Sequence, residues 1–464
     1  MTENALLAVA GYSTSGTGRG RGIELLALRS DGQDLAVERR AAVDLPDPSF
    51  VLWSEDGTLL HAVLETEPTR VVTLRVDEDG ARAEVVADLA LDGAGGCHLA
   101  HGSDGRSLVI AQYGSGSVAT VGLDEEGLPT AQIDLDDHHD LIDGIAETAP
   151  HPHQVVALPG TEALAVPDLG LDRVMLYRQG AGGMIDIAGE ISLSRGNGPR
   201  HLVADHESEQ IHIACELSGM VATALRAHET SPRSVPAVMP QAPRRWAVRS
   251  MMPASGSASA AALSHIELVA DESALLVANR GPDTLSLLSL DAMRPQRVAE
   301  VEVGAHPRHF TQWGDLVLVA AQEGDRIDVL RRLPHRSRFA GSGAPGPTGA
   351  LRRCRSRRRE VRAVLRLRAR RGLVRAGPRQ HHRRARRLPG RPLPADGDLA
   401  PLLRRRRPHP HLAGASALRP GRPRARPRRG RARARRGRGL ARLRRPRALG
   451  AAPLHLRRRH PGHG

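Results

Sequence analysis

One unit recurs seven times along the first 330 residues of this chain, and that repetition limits the fold more than any other feature. Each copy runs from a polar or His-containing pair to an apolar residue, a turn holding Asp or Gly, a short apolar strand, a polar turn and an alternating strand. The clearest copies are CHLAHGSDGRSLVIAQYGSGSVATVGL at 97–123, HQVVALPGTEALAVPDLGLDRVMLY at 153–177, RHLVADHESEQIHIACELSGMVATALR at 200–226, SHIELVADESALLVANRGPDTLSLLSL at 264–290 and RHFTQWGDLVLVAAQEGDRIDVL at 308–330. Weaker copies begin at Ser49 and near the N-terminus, the latter ending in Gly22–Leu28. Unit starts near 2, 49, 97, 153, 200, 264 and 308 are spaced by 44 to 64 residues. A period of that size, made of short strands and Gly/Asp turns, predicts an all-β, seven-bladed β-propeller over residues 1–333. A pair of sandwiches would not require seven similar units. The long fifth unit carries a Pro-, Ser-, Ala- and Arg-rich insertion at about 227–262, which is read as a loop.

Composition enters because the chain changes character near residue 331. Residues 331–464 hold 44 Arg, no Lys and 3 acidic residues, a formal charge of +41, whereas residues 1–330 hold 23 Arg and 48 acidic residues, or −25. Function must therefore be read from the acidic part, whose charge argues against a nucleic-acid surface. The segment 334–464 has no strand or helix period, and is expected to be a disordered Arg/Pro/Ala/Gly-rich tail. A shifted reading frame in a GC-rich gene accounts for its composition. The alternative is an arginine-rich nucleic-acid arm, although the segment lacks the interleaved aromatics that stack bases. Only if that arm is genuine is nucleic acid a partner. Cys97, Cys215 and Cys354 have no paired spacing, so neither a disulfide framework nor a cysteine zinc site is implied. The apolar run at the N-terminus has no basic lead-in and is short for a secretory signal, and no stretch approaches a membrane span. A cytoplasmic protein with no membrane contact is the expectation.

The ordered motifs resemble the lactonase family of seven-bladed propellers, which includes propeller-type 6-phosphogluconolactonases and is similar in fold to carboxy-cis,cis-muconate cyclase. The resemblance covers about residues 1–333. It is carried jointly by Gly96-Cys-His-Leu99 with Tyr113-Gly-Ser-Gly-Ser117, Pro150-His-Pro-His-Gln154 with Pro167-Asp-Leu-Gly170 and Asp172-Arg173, Gly198-Pro-Arg-His201 with Cys215-Glu-Leu217, Asn279-Arg-Gly281 with Asp283, and His306-Pro-Arg-His309. The family's His, two Arg and Glu carry over onto His153, Arg200, Arg280 and Glu216, with Arg308 as a further substrate-binding candidate. Three departures stand out: Gln112 where Asn is common, Pro282 after Asn-Arg-Gly, and the missing end of the seventh unit. Propellers close by pairing a terminal strand with the blade at the other end, so the N-terminal strand around Leu6–Gly11 is expected to join the last blade.

The resemblance implies hydrolysis of a sugar lactone, with 6-phosphoglucono-δ-lactone giving 6-phosphogluconate in the pentose phosphate pathway, by a monomer that needs no metal or cofactor. His153 would take the proton of water, Glu216 would orient it, and Arg200 and Arg280 would hold an anionic group and a developing oxyanion. The rival readings are a muconate-type cyclase and a non-catalytic propeller that binds a protein across its face. His98, His201, His265 and His309 occupy one repeat position and read as packing residues. Arg173 beside Asp172 reads as a turn ion pair. A metal site at His151, His153 and Asp168 is the lesser alternative.

Overall fold

The computed structural model describes residues 3–333 apart from 15–17, 33, 142–147, 228–245 and 293, together with the strand backbones 350–353 and 366–369. Among these, the strands form seven four-stranded antiparallel sheets, each following one repeat, so the all-β seven-bladed propeller read from the periodicity is the fold. Blade 5 illustrates the plan. Its strands Pro199–Ala204, Gln210–Cys215, Met220–Arg226 and Trp246–Pro253 pair in chain order from the axis outwards. Inner strands such as Leu59–Leu64 and Leu316–Ala321 are buried throughout, because blades cover both of their faces. Outer strands such as Leu35–Val43 and Pro129–Asp137 are largely open to solvent on one face or both.

With so few aromatic residues, aliphatic side chains fill the spaces between blades. Leu7, Val9, Ile23, Leu25, Leu60 and Leu74 form one cluster with Trp53 of blade 2 and Trp313, Leu316 and Leu318 of blade 7. The first and last blades are thus joined by buried apolar surface, at about 25 cal/mol per Å² removed from water.

The turn between second and third strands uses a left-handed residue at one repeated place: Gly116, Asp172, Gly219, Asp283 and Asp325. Gly and Asp tolerate that conformation better than most residues. The aspartates also tie each turn to the chain entering the next blade. Asp172 accepts from the amides of Gly196 (2.7 Å) and Gly198 (2.6 Å), and Asp283 from that of His306 (2.9 Å). The ion pair expected within Asp172-Arg173 is therefore absent: Arg173 Nη1 meets Glu190 at 3.1 Å, across the sheet.

Two further expectations are corrected. The insertion at 227–262 is not all loop, since Trp246–Pro253 is the outer strand of blade 5; residues 228–245 lie outside the described residues. The N-terminal strand, expected to join the last blade, is instead the second strand of blade 1. Glu3–Gly11 lies between Gly22–Ser30 and Arg366–Ala369, while Ala350–Arg353 completes blade 7 beside Arg326–Leu333. Either arrangement removes the exposed edges of an open ring. The reading of 334–464 as a disordered tail otherwise falls outside the described residues.

Candidate active site

Two layers of side chains build the site, the first with one residue from each of blades 2 to 7 and the second with one from every blade. The register pairs Pro48 with Leu64, Gly96 with Gln112, Pro199 with Cys215, Leu263 with Asn279 and Pro307 with Ala321. After each pairing the inner strand holds one extra residue: Ser49, Cys97, Arg200, Ser264 and Arg308. Blade 4 follows suit, with residues 153–155 set against 166–167 between the pairs Pro152–Asp168 and Val156–Ala165, so His153 takes the same place. A bulge re-aims the side chain it carries. On the second strands, the residue after the paired one is Glu65, Tyr113, Leu169, Glu216, Arg280 or Gln322, and Tyr12 after Gly11 in blade 1.

These layers meet at one end of the channel. Glu216 Oε2 lies 2.8 Å from Arg200 Nε and 2.7 Å from Arg280 Nη2, bridging two guanidiniums from adjacent blades. Arg200 is fully buried and also donates to the Ser264 carbonyl, while Arg280 donates to the carbonyls of Ala262 and Leu263, each at 3.2 Å. Burial alone would raise the Glu216 carboxyl, but Arg280, Arg200 and Arg308 outweigh it and hold it below its ordinary value. Arg308 is 1% exposed, and its Nε and Nη1 have no hydrogen-bond partner among the described residues. Three buried cations therefore surround the mouth of an acidic body.

His153 is buried against the Tyr113 ring (centroids 5.4 Å apart), with Nδ1 3.8 Å from Cys97 Sγ. Burial, then Arg200 and Arg308, push its pKa well below the usual imidazole value, so it is neutral at neutral pH. Burial likewise raises the Cys97 thiol to about 12, which keeps it protonated. The structure thus brings His153, Arg200, Glu216, Arg280 and Arg308 to one mouth.

Four residues that were not site candidates on sequence also lie there: Tyr12, Glu65, Tyr113 and His306. Tyr12 donates a hydrogen bond to Glu65 Oε2, and Tyr113 stacks on His151 at 4.2 Å. His306 lies close enough to Arg280, Arg308 and Arg200 for their charges, after burial, to lower it to about 3. Glu65 and Tyr12 sit at the repeat position of Glu216, so aligning the weak second and first units with the fifth would have found them.

Beneath this mouth the next inner-strand residues fill the axis. His98 meets His201 at 5.8 Å and Phe50 meets His309 at 6.1 Å, contacts between blades that are not neighbours. Such contacts can form only across the channel, which is plugged below the site. The packing role expected of the four histidines fits this arrangement. The nitrogens of His201, His265 and His309 come within 4.8 Å of one another, as metal ligands would. However, the rings of His265 and His309 lie face to face at 3.5 Å and 15°. Ligand lone pairs lie in the ring plane, so stacked rings do not converge on one ion. The His151/His153/Asp168 alternative fails differently. Asp168 accepts from His138 (2.6 Å) and from the amides of His151, Gly170 and Leu171, while His151 Nδ1 binds the Tyr113 carbonyl.

A seven-bladed propeller with a plugged channel and buried arginines gathered at one end of it defines the class of protein. Within that class, the chain belongs to the lactonase family of seven-bladed β-propellers, whose model matches residues 7–346. It is 23% identical over 205 residues to the 6-phosphogluconolactonase of Bacillus subtilis, covering 44% of this chain and 58% of that one. An uncharacterised protein of Staphylococcus saprophyticus is 24% identical over 64% of this chain and 84% of its own. Among solved structures, a putative 6-phosphogluconolactonase of Bacteroides fragilis superposes with TM-score 0.65 at 20% identity, over 79% of this chain and 98% of that one. The periplasmic gluconolactonase of Pseudomonas aeruginosa gives 0.61 at 25% identity, over 76% and 99%. Among the described residues no helix is long and apolar enough to cross a membrane.

Proposed function

We propose that this protein hydrolyses an anionic sugar lactone at the arginine-rich mouth, with 6-phosphoglucono-δ-lactone the favoured substrate. The observation that carries the reading is the convergence of Arg200, Arg280 and Arg308, all buried, around Glu216 in a family of lactonases. A buried guanidinium fork suits phosphate or carboxylate, and the remaining donors suit the oxyanion formed as water attacks the carbonyl. Glu216 fixes the forks of Arg200 and Arg280 so that they need not reorganise during the reaction. Neutral His153 can accept a hydrogen bond from the attacking water or donate one to the substrate. A cytoplasmic site of action and a place in the pentose phosphate pathway follow from that substrate choice.

The test is hydrolysis measured against the spontaneous rate, for 6-phosphoglucono-δ-lactone and uncharged glucono-δ-lactone in parallel. Arg280→Gln is expected to lower kcat/KM for the phosphorylated lactone about 10- to 100-fold, the loss of one charge-assisted contact, and to affect the uncharged lactone less. Wild-type protein that turns over neither lactone above background refutes the reading.

A further inference from the structure

We propose that Glu65 is the general base of this hydrolysis, with Tyr12 as the residue that positions it; the assignment rests on the lactone-hydrolase reading above. Glu65 follows the second strand of blade 2 at the place that Glu216 and Arg280 hold in blades 5 and 6, so its carboxyl belongs to the same layer of the mouth. The Tyr12 hydroxyl, from the equivalent place in blade 1, donates to Oε2 and leaves Oε1 for water. Unlike the buried His153, Glu65 is partly accessible to solvent.

The other candidates are poorer bases. Glu216 is held between two guanidiniums, which stabilise its carboxylate against protonation. A protonated His153 would be a buried cation beside Arg200 and Arg308. The groups acting on Glu65 set it near the working pH instead. Burial raises it, the Tyr12 hydrogen bond, Arg308 and Arg200 lower it, Asp47 raises it, and the result is about 7. Cys97 and Tyr113 also feel its charge, and burial holds both in their neutral forms. A base poised near neutrality has both the right protonation state and useful proton affinity.

In the step, Glu65 takes a proton from water while the water oxygen forms a bond to the lactone carbonyl carbon. The carbonyl π pair moves onto oxygen, facing the arginines. When that pair returns, the ring C–O bond breaks, and Glu65 gives its proton to the departing ring oxygen, which becomes the hydroxyl of the product. The new carboxylic acid loses its proton to solvent, and Glu65 ends as it began.

The experiment is the pH dependence of kcat for wild type, Glu65→Gln, Glu65→Asp and Tyr12→Phe on whichever lactone the wild type hydrolyses. Expected are an acid limb near pH 7 in the wild type and a fall of two to three orders of magnitude in Glu65→Gln, with the limb abolished. Glu65→Asp should recover part of the rate. Tyr12→Phe should move the limb to higher pH, because the carboxylate loses a donor; a purely structural tyrosine would lower activity without moving the limb. Wild-type kcat in Glu65→Gln, or an unmoved limb in Tyr12→Phe, overturns the assignment while leaving lactone hydrolysis standing. A wild type inert toward every lactone removes both.

Discussion

Glu65 and Glu216 occupy equivalent positions yet face opposite electrostatics, and their effects on stability should run in opposite directions with pH. The Glu65 pKa is raised by folding to about 7. The folded state therefore binds its proton more tightly than the unfolded chain, and stability falls as pH rises from about 4.5 to 7. Glu216 is lowered, so its contribution is present above the unfolded value near 4.3 and is lost as pH falls through the folded value. Melting temperature followed from pH 3 to 8 is expected to slope less between 4.5 and 7 in Glu65→Gln than in wild type, and less below 4.3 in Glu216→Gln. A Glu65→Gln curve parallel to wild type between 4.5 and 7 would show that the carboxyl is not shifted. The residues of the two strongest repeats, Arg200 with Glu216 and Arg280, were legible because their motifs stand apart from the surrounding apolar runs. Glu65 was not, since Leu64-Glu65-Thr66 looks like an ordinary strand end until the bulge register aligns it with Cys215-Glu216.

At the scale of elements, blades 3 and 4 are linked by a buried polar chain that no periodicity announces. Asp168 accepts from His138 Nδ1, His138 Nε2 meets the Tyr177 hydroxyl at 2.6 Å, and that hydroxyl donates to Asp136 at 2.5 Å. His138 and Asp168 are fully buried, so removing the hydroxyl strands polar atoms of the chain without partners, at about 1–3 kcal/mol. Tyr177→Phe is expected to lower stability by that amount in urea titration while hydrolysis persists, because among the described residues the Tyr177 hydroxyl meets His138 and Asp136 and none of His153, Arg200, Glu216, Arg280 or Arg308. No change in the urea midpoint would mean that the network is not formed in solution. Inner strands could be read from the sequence because both faces are covered and the run stays apolar. Trp246–Pro253 was missed for the converse reason: an outer strand is fixed by backbone pairing to its neighbour and needs little side-chain pattern.

For the whole molecule, seven units implied a ring but not how it closes. The closing strands Ala350–Arg353 and Arg366–Ala369 read ALRR and RLRA, arginine-rich runs with no β-branched residue to advertise a strand. They are placed by the edges they cover. Arg366–Ala369 pairs with Ala5–Ala8, and Ala350–Arg353 with Leu330–Leu333, on the two blades whose side chains already share one apolar cluster. Closure thus has a side-chain part within residues 1–333 and a backbone part beyond it. A chain ending at Leu333 keeps the first and loses the second. It is expected to fold, and to melt about 5 °C or more below the full chain, as a few kcal/mol of lost pairing would require. It should also associate through the bared edges of Glu3–Gly11 and Arg326–Leu333, visible as a concentration-dependent size in light scattering. Equal melting temperatures and a concentration-independent size would mean that the apolar seam between first and last blades closes the ring unaided.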